Sequence, residues 1–120
     1  MPKPLILVCD DEEGVRESLK LILEGDYAVE VAVDGQEAFD KILTTNYDLV
    51  LLDVKMPKLD GLEVLECLER AKRYAKIIIL SAYQSMDIAT KAAGKGVFDY
   101  ITKPFTSEEI RAIVQRALSL

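Results

Sequence analysis

Four short, almost unbroken apolar runs constrain this chain most: Leu5 to Cys9, Leu49 to Leu52, Ile77 to Leu80, and Val97 to Ile101, the last interrupted by Asp99. Each is strand-sized and rich in branched side chains. A strand with one face in water alternates apolar and polar residues. A run that does not alternate needs cover on both faces, as in parallel sheets clad by helices. A fifth segment, Tyr27 to Val33, does alternate. Tyr27, Val29, Val31 and Val33 share one face, and Ala28, Glu30 and Ala32 the other, which suits a strand near a sheet edge.

Helical spacing fills the intervals. Val15, Leu19, Ile22 and Leu23 form one stripe, Ala38, Phe39, Ile42 and Leu43 a second, and Leu62, Leu65 and Leu68 a third. Ile110, Ile113, Val114, Ala117 and Leu118 form the last, and Thr106 with Glu109 reads as a capping box at its start. The fourth crossover, Ser85 to Lys95, is alanine-rich and flanked by Gly94 and Gly96, and a marginal helix is predicted there. Five β-α units in sequence, joined by right-handed crossovers, predict an α/β three-layer (βα)5 fold in one domain over residues 1–120. By analogy with flavodoxin-like sheets, the five parallel strands take the order 2-1-3-4-5.

Composition narrows the chemistry. Half of the 120 residues are hydrophobic, enough for a sizeable core, and the formal charge of −6 disfavours nucleic acid and anionic membrane as partners of this domain. Histidine is absent, so any phosphohistidine in the chemistry belongs to another molecule. Cys9 and Cys67 lack C-x-x-C spacing and read as reduced structural thiols of a cytoplasmic protein. No apolar run approaches the ~20 residues that cross a bilayer, and no secretory signal is recognisable after Met1. Lys72, Arg73 and Lys76 read as a solvated basic surface.

In a sheet of this kind ligands bind outside the carboxyl ends of the strands. There the first strand delivers Asp10 and Asp11, followed by Glu12 and Glu13; the third delivers Asp53, the fourth Ser81, and the fifth is followed by Lys103-Pro104. Three carboxylates in one pocket stay ionised only if cations compensate them. Lys103 is one such cation, and an all-oxygen donor set without His or Cys points to Mg²⁺ for the rest. No glycine-rich phosphate loop follows the first strand. A carboxylate can instead attack phosphorus and become an acyl phosphate. Asp53, at the end of the central strand, is the candidate, with Mg²⁺, Lys103 and the Ser81 hydroxyl each meeting a phosphoryl oxygen.

These residues resemble the receiver domain of two-component response regulators along the whole chain, through "ILVCDDE", "DLVLLDVKMPKLDG", "IIILSAY" and "FDYITKPF". The resemblance implies that Asp53 is the phosphoacceptor, taking its group from a sensor histidine kinase or a histidine phosphotransfer protein. It implies that Asp11 binds Mg²⁺ directly, Asp10 mainly through water, and Lys55 through its backbone carbonyl. Lys103 would pair with the phosphoryl group, Ser81 would be the switch hydroxyl, and Tyr100 the aromatic that moves with it. The moving face would comprise the fourth and fifth helices and the fifth strand, read by a downstream effector domain or protein. The Lys103-Pro104 bond would be cis. Where the family often carries a small Ala before the fifth strand, this chain has Gly96-Val97-Phe98. The Lys55 and Tyr83 pairing is similar to that of stand-alone phosphorelay receivers, and shielding by the two side chains would slow loss of the phosphoryl group.

Such a domain is a phosphoacceptor that contributes to its own phosphorylation and dephosphorylation rather than an enzyme with turnover. Two rivals remain. A metal-dependent aspartyl-nucleophile phosphatase typically has a second Asp two residues after the nucleophile, where this chain has Lys55. An inert receiver-like binding module would lack the acceptor or the acidic pair, and both are present.

Overall fold

The computed structural model describes residues 2–82 and 96–119. Five parallel strands, β1 (Leu5–Cys9), β2 (Ala28–Ala32), β3 (Leu49–Asp53), β4 (Ile77–Ser81) and β5 (Val97–Thr102), form one sheet in the order β2-β1-β3-β4-β5. Among the described residues four helices accompany it: α1 (Glu13–Leu23), α2 (Gly35–Thr44), α3 (Gly61–Arg70) and α4 (Ser107–Leu118). The predicted helix at 85–95 and Tyr83 lie outside the described residues.

The unbroken apolar runs now have their cause. Leu7, Cys9, Val50, Leu52, Ile77 and Ile79 pack on the face covered by α2 and α3. Their neighbours Ile6, Val8, Leu49, Leu51, Ile78 and Leu80 pack on the opposite face, under α1 and α4. Successive residues of a strand point to opposite sides, so two buried faces require an apolar residue at every position. The edge strand β2 keeps its alternation as far as Val31, with Glu30 exposed and Val29 and Val31 half-buried; it then breaks, since Ala32 is fully buried against the α2 side and Val33 is exposed.

The other edge strand departs from the pattern. Ile77 pairs with Val97 and Ile78 with Asp99, so Phe98 is an extra residue in β5. Of β5 only Ile101 is buried, and the Asp99 carboxylate reaches outward to Arg116 of α4. The Phe98 ring receives the Lys76 ammonium, 5.6 Å from its centroid.

The helix stripes bury as expected, with two differences. Val64 of α3 is fully buried although it stands outside the Leu62, Leu65, Leu68 row, and Leu43 of α2 is 42 % exposed at the margin of its stripe. The Thr106–Glu109 capping box forms, and Asp60 with Glu63 makes a second at the start of α3. The basic cluster is not a plain solvated surface. Arg73 donates to the carbonyls of Ile42 and Thr45, satisfying the C-terminal end of α2, and Lys76 Nζ donates to Ala117 O at 2.7 Å at the end of α4.

Helix α3 ends with Lys72 in the left-handed region, φ +55°. Arg73 N–H donates to Leu68 O and Lys72 N–H to Glu69 O, the pair of bonds that closes a Schellman motif. A side chain with a Cβ is disfavoured there, and glycine is the natural occupant. Lys72→Gly is therefore expected to stabilise the fold by about 0.5–1 kcal/mol, read as a higher urea midpoint with an unchanged m-value.

Candidate functional site

The strand ends meet at one edge of the sheet. Asp10 directly follows β1, and its N–H donates to Ala32 O at 3.1 Å, carrying the ladder one residue past the strand. Asp53 closes β3 opposite Leu80, and Ser81 closes β4 opposite Thr102. Lys103 N–H donates to Ser81 O at 2.8 Å, which aims the lysine at the same edge, and the Lys103-Pro104 bond is cis.

Asp53 is also held from below. Gly61 N–H donates to Val54 O at 2.7 Å, and a Cβ on Gly61 would stand 2.5 Å from the Asp53 carbonyl oxygen. Only glycine lets the start of α3 approach the peptide that carries Asp53 so closely.

Asp11, Glu12, Asp53, Lys55, Ser81 and Lys103 line a cleft of about 280 Å³. Asp10 lies beneath it, fully buried. Tyr100, on β5, is 39 % exposed. A wider groove of about 440 Å³ along α2, with Asp34, Glu37, Asp40, Lys41 and Lys58 on its walls, contains none of the strand-end residues. Convergent charge, rather than cavity size, marks the site.

Every polar group of Asp10 has a partner. Oδ1 accepts from Glu12 N–H at 2.9 Å, Oδ2 from Lys103 Nζ at 2.6 Å, and the backbone carbonyl from Arg16 Nη1 at 2.8 Å. Lys103 also stands 3.4 Å from Asp53 Oδ1, so one ammonium bridges two buried carboxylates. Burial works against the charge on Lys103, but the hydrogen bond and charge of Asp10, then of Asp53, more than offset it and hold Lys103 above the usual lysine range. Asp53 is pushed up to about 6, first by burial and then by the charge of Asp10, with Lys103 opposing.

The carboxylate oxygens of Asp10, Asp11 and Glu12 come within 4.8 Å of one another. Glu12 is the N-cap of α1 but makes no side-chain cap bond, and the strand-end pattern alone does not single it out. Arg16 is a second residue that pattern passes over; a cation one turn into the helix after four acidic residues was the available signal. An all-oxygen set of this kind suits a hard divalent cation, and Asp53, raised mainly by burial, also feels the negative charge of Asp10 and Asp11.

The sign of the pH effect follows from the raised carboxyl. The native state keeps a proton on Asp53 up to about pH 6, whereas the unfolded chain releases it near 3.8. Native protein therefore binds more protons across that window, and stability falls as pH rises through it. In EDTA, Asp53→Asn should match wild type below pH 4 and exceed it by about 2 kcal/mol above pH 6, measured by urea unfolding at each pH.

The response regulator receiver domain profile matches residues 6–115. Response regulator MprA of Mycolicibacterium vanbaalenii is 43 % identical over 114 residues, 94 % of this chain and 49 % of MprA. The chain thus spans about half the length of the curated relatives it matches. Among solved structures, the receiver domain of Francisella response regulator 1452 has a TM-score of 0.89 and 35 % identity, covering 98 % of both chains. Response regulator TrrA of Thermotoga maritima, solved in complex with Mg²⁺-BeF, has a TM-score of 0.83 and 39 % identity over 96 % of this chain and 99 % of that one. Agreement of fold, motif order and strand-end chemistry leaves one assignment: the chain belongs to the response regulator receiver domain family, the phosphoaccepting domains of two-component signalling.

Proposed function

We propose that Asp53 is the phosphoacceptor and that its group comes from a phosphohistidine on a sensor histidine kinase or a histidine phosphotransfer protein. The observation that carries this is the position of Asp53: a buried carboxylate at the end of the central strand, facing a cleft and 3.4 Å from a lysine ammonium. An Asp53 carboxylate oxygen attacks phosphorus, a P–O bond forms, and the donor's P–N bond breaks. The leaving imidazole nitrogen keeps the bonding pair and takes up a proton. Little covalent work falls to the protein, so positioning and charge neutralisation carry the step.

Asp11, Asp53 and the Lys55 carbonyl would hold Mg²⁺, with Asp10 acting through water and Glu12 at the rim. That the Thermotoga relative was solved in complex with Mg²⁺-BeF supports Mg²⁺ as the ion this chain takes. When bound, Mg²⁺ supplies the positive charge that phosphoryl oxygens and crowded carboxylates require. Lys103 already lies between Asp10 and Asp53, within reach of a group built on Asp53. Ser81 lines the same cleft and offers a hydroxyl to a further phosphoryl oxygen. Through Ser81 and Tyr100 the change passes to the face of β5 and α4, which an effector domain or protein reads. In this reading residues 1–120 form one receiver domain, cytoplasmic, with neither nucleic acid nor membrane as its own partner. No helix among the described residues is long and apolar enough to cross a membrane.

Two results are expected. Acetyl phosphate with Mg²⁺ should add one phosphoryl group, seen by intact mass, and Asp53→Asn should remain unmodified; equal gain in the variant would overturn the acceptor. Asp11→Ala should lose Mg²⁺ affinity roughly tenfold or more while its metal-free unfolding midpoint stays level or rises, because a repelling carboxylate is gone. An unchanged Mg²⁺ titration would refute its role.

A further inference from the structure

Asp11 is the exposed member of the acidic pair, at the bend between β1 and α1. The residues on either side of it are fixed, and by the same partner. Arg16 donates its backbone N–H to Glu12 O at 3.1 Å, the first helical bond of α1. Its guanidinium turns back and donates Nη1 to Asp10 O at 2.8 Å. The carbonyl before Asp11 and the carbonyl after it are thus both tied to one residue.

We propose that Arg16 is a positioning residue of the acidic site, holding the turn between β1 and α1 so that Asp11 and Glu12 present their carboxylates together. The inference rests on the reading of this cleft as a divalent-metal site. Arg16 acts through the Asp10 carbonyl, by its Nη1 bond to that oxygen. The backbone bond to Glu12 belongs to the helix and survives any substitution. Only the side-chain tie is removable, so its loss leaves the Asp10 carbonyl untied while α1 and the bonds of Asp10 to Ala32 and Lys103 persist. Asp10 loses one of its anchors, and with it the Glu12 N–H to Oδ1 bond of 2.9 Å loosens.

A guanidinium beside an acidic cluster has a rival role as simple charge compensation, and the two roles predict opposite signs. If Arg16 only opposes the carboxylates, its removal makes the cleft more negative and Mg²⁺ binds more tightly. If it positions them, removal weakens Mg²⁺ binding, as loss of a group that holds a ligand from behind generally does.

The test compares wild type, Arg16→Met and Arg16→Lys by Mg²⁺ calorimetry and, in EDTA, by amide exchange at Glu12, with urea midpoints for global stability. Positioning predicts a roughly tenfold weaker Mg²⁺ affinity and faster Glu12 exchange in Arg16→Met. Arg16→Lys, which keeps a cationic donor, should recover most of both. Mg²⁺ affinity in Arg16→Met equal to or tighter than wild type would overturn the proposal, as would unchanged Glu12 exchange. Should Arg16→Met not fold, the lysine variant decides alone: any loss of Mg²⁺ affinity must be matched by faster Glu12 exchange, and a loss without it overturns the proposal. A wild type that takes up no Mg²⁺ sinks the metal reading instead, and Glu12 exchange in the metal-free variants still decides whether Arg16 holds the turn.

Discussion

Lys103 Nζ sits 2.6 Å from Asp10 and 3.4 Å from Asp53, and much of the molecule is arranged around that bridge. Two carboxylates almost out of water repel each other through a poorly screening medium, and the ammonium between them makes their approach tolerable. Asp53 still holds its proton more strongly than an ordinary aspartate, chiefly because it is buried and then because Asp10 is near. The folded domain therefore keeps a carboxylate that is largely withdrawn from water where it faces a cleft.

The sheet delivers these groups without specialised loops. In a parallel sheet every strand runs the same way, so the residues that close β1, β3, β4 and β5 emerge on one edge. Burial on both faces fixes the register, because a slip of one residue would exchange the sets of side chains assigned to the two helical layers. Precision at the site is thus inherited from packing in the core. Gly61 extends that logic to the backbone, bringing the start of α3 against the Asp53 carbonyl.

What could be read from the residue order follows from the range of the forces involved. β1, β3 and β4 were legible because cover on both faces writes itself as consecutive apolar residues, and β2 as far as Val31 because one-sided burial writes itself as alternation, which Ala32, buried on the other face, interrupts. The convergence of Asp10, Asp11, Asp53, Ser81 and Lys103 followed from strand order. The partners of side chains did not. Lys103 meets Asp10 across 93 residues, Arg73 meets Ile42 across 31, and Lys76 meets Ala117 across 41. No local pattern marks such pairs, so Arg73 and Lys76 look like free surface charges until the helices they hold are placed. The bulge at Phe98 is similar: it is a mismatch between two strands and belongs to neither alone.

The saturation of Asp10 bears on which substitutions the position accepts. Both carboxylate oxygens receive donors, one from a backbone N–H and one from an ammonium. Asparagine has nearly the same shape but offers one acceptor and one donor. In one orientation its NH₂ would face the Lys103 ammonium, and in the other it would face the Glu12 N–H. Both arrangements set donor against donor at a fully buried side chain. Isosteric replacement, gentle at most aspartates, is here frustrated in either rotamer, and the position demands an anion on grounds of hydrogen-bond polarity alone.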